Sequence, residues 1–366
     1  MEGLIVLALT WVTLRARAFS IALSALCVTL VTDTVSAAPL GLPETQPEDA
    51  QAHELATLGS ELFSDQRLSV NGTISCASCH IPAKRFTDGR STASGLRGRK
   101  LTRRTPSLLN VRYTSSLFWD GRASDLAAQA RFPLLAPAEH GLGDERSLTA
   151  IVGADPAYAE AFERLLGVQR GAITTREIGM ALAAYERTLL SADSAFDRYQ
   201  YGRDAKAMSP AGIRGLALFR DRAQCVGCHE IGAAWSLFTD GRFHPSPVQI
   251  PPSALANLGK LTERVSAMRR QGNLDALSAL IATDRDAAEL GRFVVTLDPK
   301  DIGLFKTPSL RNVAVTGPYM HNGSVASLAE AVDLELYGRS TQKYPLELTE
   351  DERSDLLEFL RALSSP

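Results

Sequence analysis

Apolar positions recur at spacings of three and four in five stretches of the chain, the period of a helix with one buried face. They predict helices near His53–Phe63, Tyr158–Leu166, Thr174–Leu190, Ser209–Phe219 and Ser327–Leu336. A sixth helix follows Thr349, which with Glu352 makes a capping box for a segment reaching Leu363. Few segments alternate polar and apolar positions as strands do, so the fold class expected is all-α. Long Gly-, Pro- and Ser-rich loops join the helices. Residues 245–304 are an added interval in the second half, and within it Leu255–Ile281 is amphipathic, with an Arg-rich turn at Arg269-Arg270. This stretch is expected to be a solvated surface helix. The alternative is an insertion that docks a partner or shapes a substrate site.

Several landmarks occur twice in the same order. Leu62-Phe63-Ser64-Asp65 answers to Leu218-Phe219-Arg220-Asp221, and Cys76-Ala77-Ser78-Cys79-His80 to Cys225-Val226-Gly227-Cys228-His229. Phe86-Thr87-Asp88-Gly89-Arg90 recurs as Phe238-Thr239-Asp240-Gly241-Arg242, and Thr105-Pro106-Ser107-Leu108 as Thr307-Pro308-Ser309-Leu310. In that last register Trp119 falls opposite His321 and Gly121 opposite Gly323. Chance recurrence of turn residues does not reproduce such an order, so the chain contains two related units. The boundary is expected between Tyr199 and Ser209, giving domains at 50–203 and 204–366.

The repeated Cys-x-x-Cys-His is the signature of c-type haem attachment. Two thiols a helical turn apart can add to the two vinyl groups of one porphyrin, and the adjoining histidine then supplies the proximal imidazole. Zinc would need further Cys or His ligands at matching spacing. Two covalently bound haem c groups are therefore expected, held by Cys76, Cys79 and His80 and by Cys225, Cys228 and His229, in two cytochrome c-like domains.

Composition adds little and excludes something. With 366 residues, 45% hydrophobic and 22% charged, the chain is ordinary for a soluble protein with room for two cores. A net charge of −2 argues against a nucleic-acid partner. Basic residues cluster from Lys84 to Arg104, eight against the single acid Asp88. They read either as a solvated loop or as partners for haem propionates. Arg15 and Arg17 precede an apolar run to Val31, and Val35-Ser36-Ala37 fits a cleavage site, so residues 1–37 are expected to be a signal peptide for export to the periplasm. Cys27 lies in that segment, and the other four cysteines belong to the two motifs.

The order of these motifs, with Phe118-Trp119-Asp120-Gly121-Arg122 and Pro318-Tyr319-Met320-His321-Asn322-Gly323, resembles the bacterial dihaem cytochrome c peroxidase family, including its MauG-like branch. The resemblance runs from about Leu55 to the C-terminus. It implies a peroxidatic N-terminal haem and a C-terminal haem that receives electrons from a small donor protein, a cytochrome c or a cupredoxin. It also implies that Trp119 relays electrons between the haems, and that Gln129 and Glu139 form the distal pair. A lone tryptophan is more often a core aromatic, Glu139 could be an exposed loop acid, and Gln129 a helix-surface residue. Peroxide cleavage nonetheless asks for such a pair, because a proton must move from one oxygen to the other. Homodimers occur among the relatives.

The chain departs from that pattern in three places. Many relatives cap the first iron with a histidine from the loop that here reads Ser94-Gly95-Leu96-Arg97-Gly98-Arg99, with no histidine. The first haem is therefore expected to be open without reductive activation. His140, beside Glu139, is expected in a polar pocket role. The sixth ligand of the second haem comes, in relatives, from the helix after the Pro-Tyr-x-His motif, where this chain has Glu335. Tyr337 is the first choice here and Met320 the second. Finally, Arg104 stands where some relatives hold calcium through an asparagine, although Thr316 and Pro318 are present, which weakens the expectation of calcium. A peroxidase reducing hydrogen peroxide is the leading reading. Its rivals are a MauG-like enzyme that oxidises residues of a partner protein and a dihaem electron carrier without turnover.

Overall fold

The computed structural model describes residues 38–46, 48–338 and 346–366; the expected signal peptide lies outside them. In chain order the helices are α1 (Ala50–Ser64), α2 (Cys76–Cys79), α3 (Leu126–Leu135), α4 (Glu145–Ala154), α5 (Pro156–Leu166), α6 (Thr175–Thr188), α7 (Ala195–Gln200) and α8 (Pro210–Arg220). They continue as α9 (Pro252–Ala256), α10 (Leu258–Arg270), α11 (Leu274–Thr283), α12 (Arg285–Ala288), α13 (Phe293–Thr296), α14 (Leu328–Gly338) and α15 (Glu350–Arg361). Two short strands, β1 (Phe243–Pro245) and β2 (Leu304–Lys306), pair antiparallel. The chain is all-α, and each helix expected from periodicity is present. Caps set their starts: Asp49 accepts from the Ala52 amide, Ser209 from Gly212, and Thr349 with Glu352 closes the capping box of α15. No helix among the described residues is long and apolar enough to cross a membrane.

The duplication appears as two helix crossings of the same kind. α1 packs on α6, and α8 packs on α15. Each crossing turns on a glycine: a Cβ at Gly59 would lie 1.9 Å from the Ala181 carbonyl oxygen, and one at Gly215 would lie 1.9 Å from that of Asp355. Around the first crossing Leu58, Leu62, Phe63, Phe162, Ile178 and Leu182 form one core. Around the second Leu216, Phe219, Phe238, Leu356 and Phe359 form another, joined by Phe196 of α7. Packing therefore passes from one core to the other between Leu189 and Phe196. Ser191, in that passage, bonds both repeated asparagines: Asn110 Nδ2 donates to its carbonyl at 2.8 Å and Asn312 Nδ2 to its Oγ at 2.6 Å.

The interval 245–304 corrects an expectation. Leu255–Ile281 is not one solvated surface helix. Gly272, at φ +67°, breaks it into α10 and α11, whose apolar faces close on each other through Leu261, Val265, Leu277 and Ile281, with Phe293 and Val294 of α13. The β1–β2 ribbon pins both ends of the interval, with Phe243 opposite Lys306 and Pro245 opposite Leu304. A third small core thus leans on the first half. The Thr102 amide donates to the Ala282 carbonyl at 3.2 Å, and Arg103 Nη2 to that of Ala288 at 2.6 Å.

Both glycine crossings leave no room for a methyl group. Gly59→Ala and Gly215→Ala are each expected to cost about 1–3 kcal/mol, the usual price of overpacking. Thermal denaturation of the two variants checks this, and an unchanged melting temperature in either would refute the crossing geometry.

Candidate active site

Three repeated motifs interlock in the same way in both halves. His80 closes α2, and its Nδ1 donates to the Phe86 carbonyl at 3.0 Å; His229 Nδ1 donates to the Phe238 carbonyl at 2.8 Å. Those phenylalanines sit in the left-handed region, at φ +57° and +53°. One residue earlier, the Arg85 carbonyl accepts from Ser107 Oγ at 2.7 Å and the Leu237 carbonyl from Ser309 Oγ at 2.6 Å. A carbonyl only accepts, so Nδ1 carries the proton in each imidazole and Nε2 carries the lone pair. Burial holds the His80 imidazole below its ordinary pKa, which keeps it neutral.

Both motifs line one cavity of about 1190 Å³, above the roughly 300–1,000 Å³ common for small-molecule sites. None of the four cysteines is in a disulfide. Burial raises the thiol of Cys76, pushes Cys79 up to about 11 and pushes Cys225 up to about 12, the last with a contribution from Glu335. Arg104 borders the cavity, pushed down to about 10 by burial; its Nη2 donates to the Thr316 carbonyl at 2.5 Å, and it has no carboxylate partner among the described residues. The donor set fits two haems: two imidazoles with oriented Nε2, two thiol pairs, an apolar wall and a cation suited to a propionate. Of the Lys84–Arg104 cluster, only Arg103 and Arg104 border the cavity. Cys228, Asp240 and His244 also bring possible ligand atoms within 4.8 Å of one another, with His244 Nε2 2.7 Å from Asp240 Oδ2, but Cys228 is part of the second motif.

Glu139, Gln129 and Trp119 all border this cavity together with Cys76, Cys79 and His80. Gln129 lies on α3, one turn before Pro133, which has no N–H to give the Gln129 carbonyl. Glu139 lies in the turn after α3. Val70 donates to the His140 carbonyl at 2.9 Å and Leu96 to that of Ala138 at 2.9 Å, so the histidine-free loop 94–99 braces the turn. Burial raises the Glu139 carboxyl, and Arg122 partly offsets that. His140 is pushed down to about 4 by burial while its Nδ1 donates to the Leu68 carbonyl at 2.7 Å, so it is a neutral member of the pocket wall.

Trp119 sits where the halves meet. Its Nε1 donates to the Arg104 carbonyl at 3.4 Å, and its own carbonyl accepts from the Lys306 amide of β2 at 2.9 Å. The next residue, Asp120, is buried between Arg103 at 2.6 Å and Arg122 at 2.9 Å. Opposite in the repeat, His321 stacks on Phe305 with ring centroids 3.7 Å apart, and its Nε2 lies 2.8 Å from Glu289 Oε2, an acid of the inserted core.

Tyr337 is not brought to the site. It is 50% exposed and lines a separate shallow groove with Pro247 and Ser324, whereas Met320 and Glu335 border the cavity. The reason is helical phase: a residue two positions on points to the opposite side of α14. Sequence reasoning also passed over the Phe86 and Phe238 carbonyls, whose signal was the repeated Phe-Thr-Asp-Gly-Arg, and Glu186. Glu186 continues the apolar face Ile178, Ala181, Leu182, Tyr185 of α6, is 6% exposed, and has an Oε2 without a hydrogen-bond partner. Burial pushes it up to about 8.

The profile of the family described as "Di-haem cytochrome c peroxidase" matches residues 53–205. The cytochrome-c peroxidase IdrP1 of Denitromonas iodatirespirans is 36% identical over 89% of this chain and 85% of its own length. The methylamine utilization protein MauG of Methylorubrum extorquens is 35% identical over 85% and 78%. Among solved structures, a MauG-like protein associated with microbial copper homeostasis superposes with a TM-score of 0.66, at 29% identity over 89% and 93% of the two chains. The diheme peroxidase BthA of Burkholderia thailandensis gives 0.67 at 25% identity over 88% and 87%.

The Glu186 carboxyl takes up a proton on folding in the window between about 4.5 and about 8. An acid with a raised folded-state pKa makes the unfolded state the weaker proton binder, so its contribution to stability falls as pH rises through that window. Glu186→Gln is expected to flatten the decline of melting temperature between pH 5 and pH 8. An unaltered slope would remove Glu186 from the titrating groups.

Proposed function

The chain belongs to the di-haem cytochrome c peroxidase family, and on that premise we propose that it is exported, carries both haems covalently, and reduces hydrogen peroxide to water with electrons passed from the second haem to the first. Membership makes it a haem-containing oxidoreductase of the cytochrome-c peroxidase type. Covalent attachment is supported by the two Cys-x-x-Cys-His motifs opening on one cavity, and export by the fact that this attachment chemistry belongs outside the cytoplasm.

A bound haem supplies an iron that takes peroxide as a ligand and passes electrons to it. The chain's residues do the rest. His80, locked by the Phe86 carbonyl, offers Nε2 from one side of the cavity. Glu139 takes the proton from the peroxide oxygen held nearest the site centre and returns it to the outer oxygen, which then carries two hydrogens and leaves as water as the O–O bond breaks; two electrons and two further protons convert the inner oxygen to the second water. Gln129 donates a hydrogen bond that orients the substrate. The raised carboxyl of Glu139 suits this task, since a base whose pKa approaches the working pH both accepts and returns a proton readily. Trp119, which borders the cavity that both motifs line, serves as the relay. The observation that carries the reading is that Glu139, Gln129 and Trp119 border one cavity with both motifs.

Electrons are supplied by a small cytochrome c or cupredoxin docking near the second haem. Trp235 supports that entry point: it borders the cavity that His229 also lines and is 43% exposed.

Glu139→Gln is expected to lower the peroxide turnover rate by about 10²–10⁴-fold with two haems still bound. The acid limb of the wild-type rate profile should lie above the ordinary carboxylate range, because the base must be ionised and burial raises its pKa, and it should vanish in the variant. Steady-state kinetics across pH test both, and an unaffected rate would move the base elsewhere. Trp119→Phe is expected to slow electron transfer between the haems in stopped-flow reduction while peroxide binding is retained. Cys225→Ala should break one of the two thioether links to the second haem, which denaturing gels stained for haem, with mass spectrometry of the attachment peptides, would read out.

A further inference from the structure

The two glycine crossings put α6 and α15 in a common register. A Cβ on Gly59 would meet the Ala181 carbonyl and the Tyr185 Cβ, and one on Gly215 would meet the Asp355 carbonyl and the Phe359 Cβ. Phe63 packs on Tyr185 with ring centroids 5.0 Å apart, as Phe219 packs on Phe359 at 4.9 Å. In that register Leu182 answers to Leu356 and Glu186 to Leu360, and all four border the cavity. The comparison extends to α3 and α14, which open at Leu126 and Leu328 and so set Gln129 against Ala331 and Pro133 against Glu335. Glu186 and Leu360 are equally buried, at 6% and 5% exposed. Packing therefore does not ask for the carboxyl, because a leucine fills the same place in the other half. Burying an acid also costs free energy that a leucine does not. Glu186 Oε2 has no hydrogen-bond partner among the described residues, which leaves it for a group held in the cavity.

From this asymmetry we propose that Glu186 is the proton partner of the first haem, taking up a proton when that haem gains an electron and releasing it when the electron leaves. This role rests on the two-haem reading above and deepens it. Glu186 acts on the Cys76 thiol of the first motif more strongly than Glu139 does, which puts it beside that half of the cavity. Arg187, next along α6, is exposed and only partly offsets the burial of the carboxyl. The charges on the elements packed against α6 are satisfied elsewhere or exposed. Glu54 of α1 pairs with Arg164, Arg131 of α3 with Glu145 of α4, and Arg112 with Glu48, while Tyr113 donates to the Pro43 carbonyl. His53 and Glu61 of α1 and Arg146 of α4 are exposed. Where water is excluded, the negative charge of an added electron raises the proton affinity of a nearby carboxylate. By reciprocity, a proton on Glu186 favours the reduced haem. One electron from the donor protein and one proton from solvent then enter together: the haem passes from ferric to ferrous, the carboxylate becomes a carboxylic acid, and the cavity gains no net charge. Peroxide reduction consumes two electrons and two protons beyond the one that Glu139 moves between the oxygens, and Glu186 stores one of those two. Burial brings its ionisation to about 8, close enough to neutrality for a nearby charge to change its occupancy.

The test is potentiometric titration of the intact protein with small redox mediators at a series of pH values, with haem content measured in each sample. In the wild type the potential of the first haem, identified as the one whose spectrum responds to Glu139→Gln, is expected to fall as pH rises through the ionisation of Glu186. The sign follows from the charge: the carboxylate favours the ferric state and the carboxylic acid the ferrous. Glu186→Gln and Glu186→Leu should lose that pH dependence and stay at the low-pH potential. The leucine variant copies Leu360, so it keeps the test decisive if the glutamine variant fails to load haem. Glu186→Asp retains the carboxyl and should retain the slope. Infrared difference spectra of reduced against oxidised protein should show a protonated carboxyl gained on reduction, absent in Glu186→Gln. The proposal is overturned if the glutamine and leucine variants keep the wild-type slope and lose only melting temperature, if the infrared signal survives in Glu186→Gln, or if the other haem is the one that flattens. A haem content below two would instead overturn the reading on which this role rests, and absent peroxide turnover in the wild type would overturn the peroxidase reading while the slope still decides the role of Glu186.

Discussion

The imidazole of each Cys-x-x-Cys-His motif is steered by one backbone carbonyl, and much of the loop structure exists to put that carbonyl in place. Phe86 and Phe238 take a left-handed conformation that costs on the order of 1–3 kcal/mol and persists only where neighbours over-determine it. The neighbours are on the page: Ser107 and Ser309 clamp the preceding carbonyls, and both serines stand in the repeated Thr-Pro-Ser-Leu. The three repeated motifs are therefore one device. The first supplies the imidazole, the second the carbonyl that orients it, and the third the hydroxyl that fixes the carbonyl. Substituting within any one of them loosens the other two.

Duplication preserved this device and changed what surrounds it. The helix crossings at Gly59 and Gly215, the asparagines that meet at Ser191 and the steering carbonyls are the same in both halves. The walls differ: Trp119 against His321, Gln129 against Ala331, Pro133 against Glu335. The inserted core reinforces that asymmetry, since its Glu289 holds His321 and its Arg292 donates to the Asp120 and Gly121 carbonyls beside Trp119. One scaffold thus lines the two halves of one cavity differently.

The helices were legible because each buries an apolar face against its partner, and that face writes its period into the chain. The Cys-x-x-Cys-His motifs were legible because both copies keep the same short spacing along the chain. Hydrogen bonds across distance in sequence leave no such trace, so the link from Ser309 to Leu237 could be seen only as a recurrence. The inserted segment was misread because amphipathicity does not say whether the apolar face meets solvent-exposed surface or a second helix; the break at Gly272 was the available hint. Tyr337 was preferred for its phenol, whereas helical phase puts Glu335 on the cavity face and Tyr337 outside it.

The β1–β2 ribbon has a further meaning for how such a chain can vary. Pairing Pro245 with Leu304 brings the two ends of the inserted segment to neighbouring-strand distance, so the rest of the protein sees a closed stem. The entropic cost of a loop on such a stem grows only with the logarithm of its length, about 0.6 kcal/mol for each doubling. Lengthening at the turn around Gly272, far along the chain from the stem, is thermodynamically cheap, while a single residue added inside the ribbon would shift Lys306 against Trp119. The segment behaves as a cassette whose interior is free to diversify and whose hinge is not.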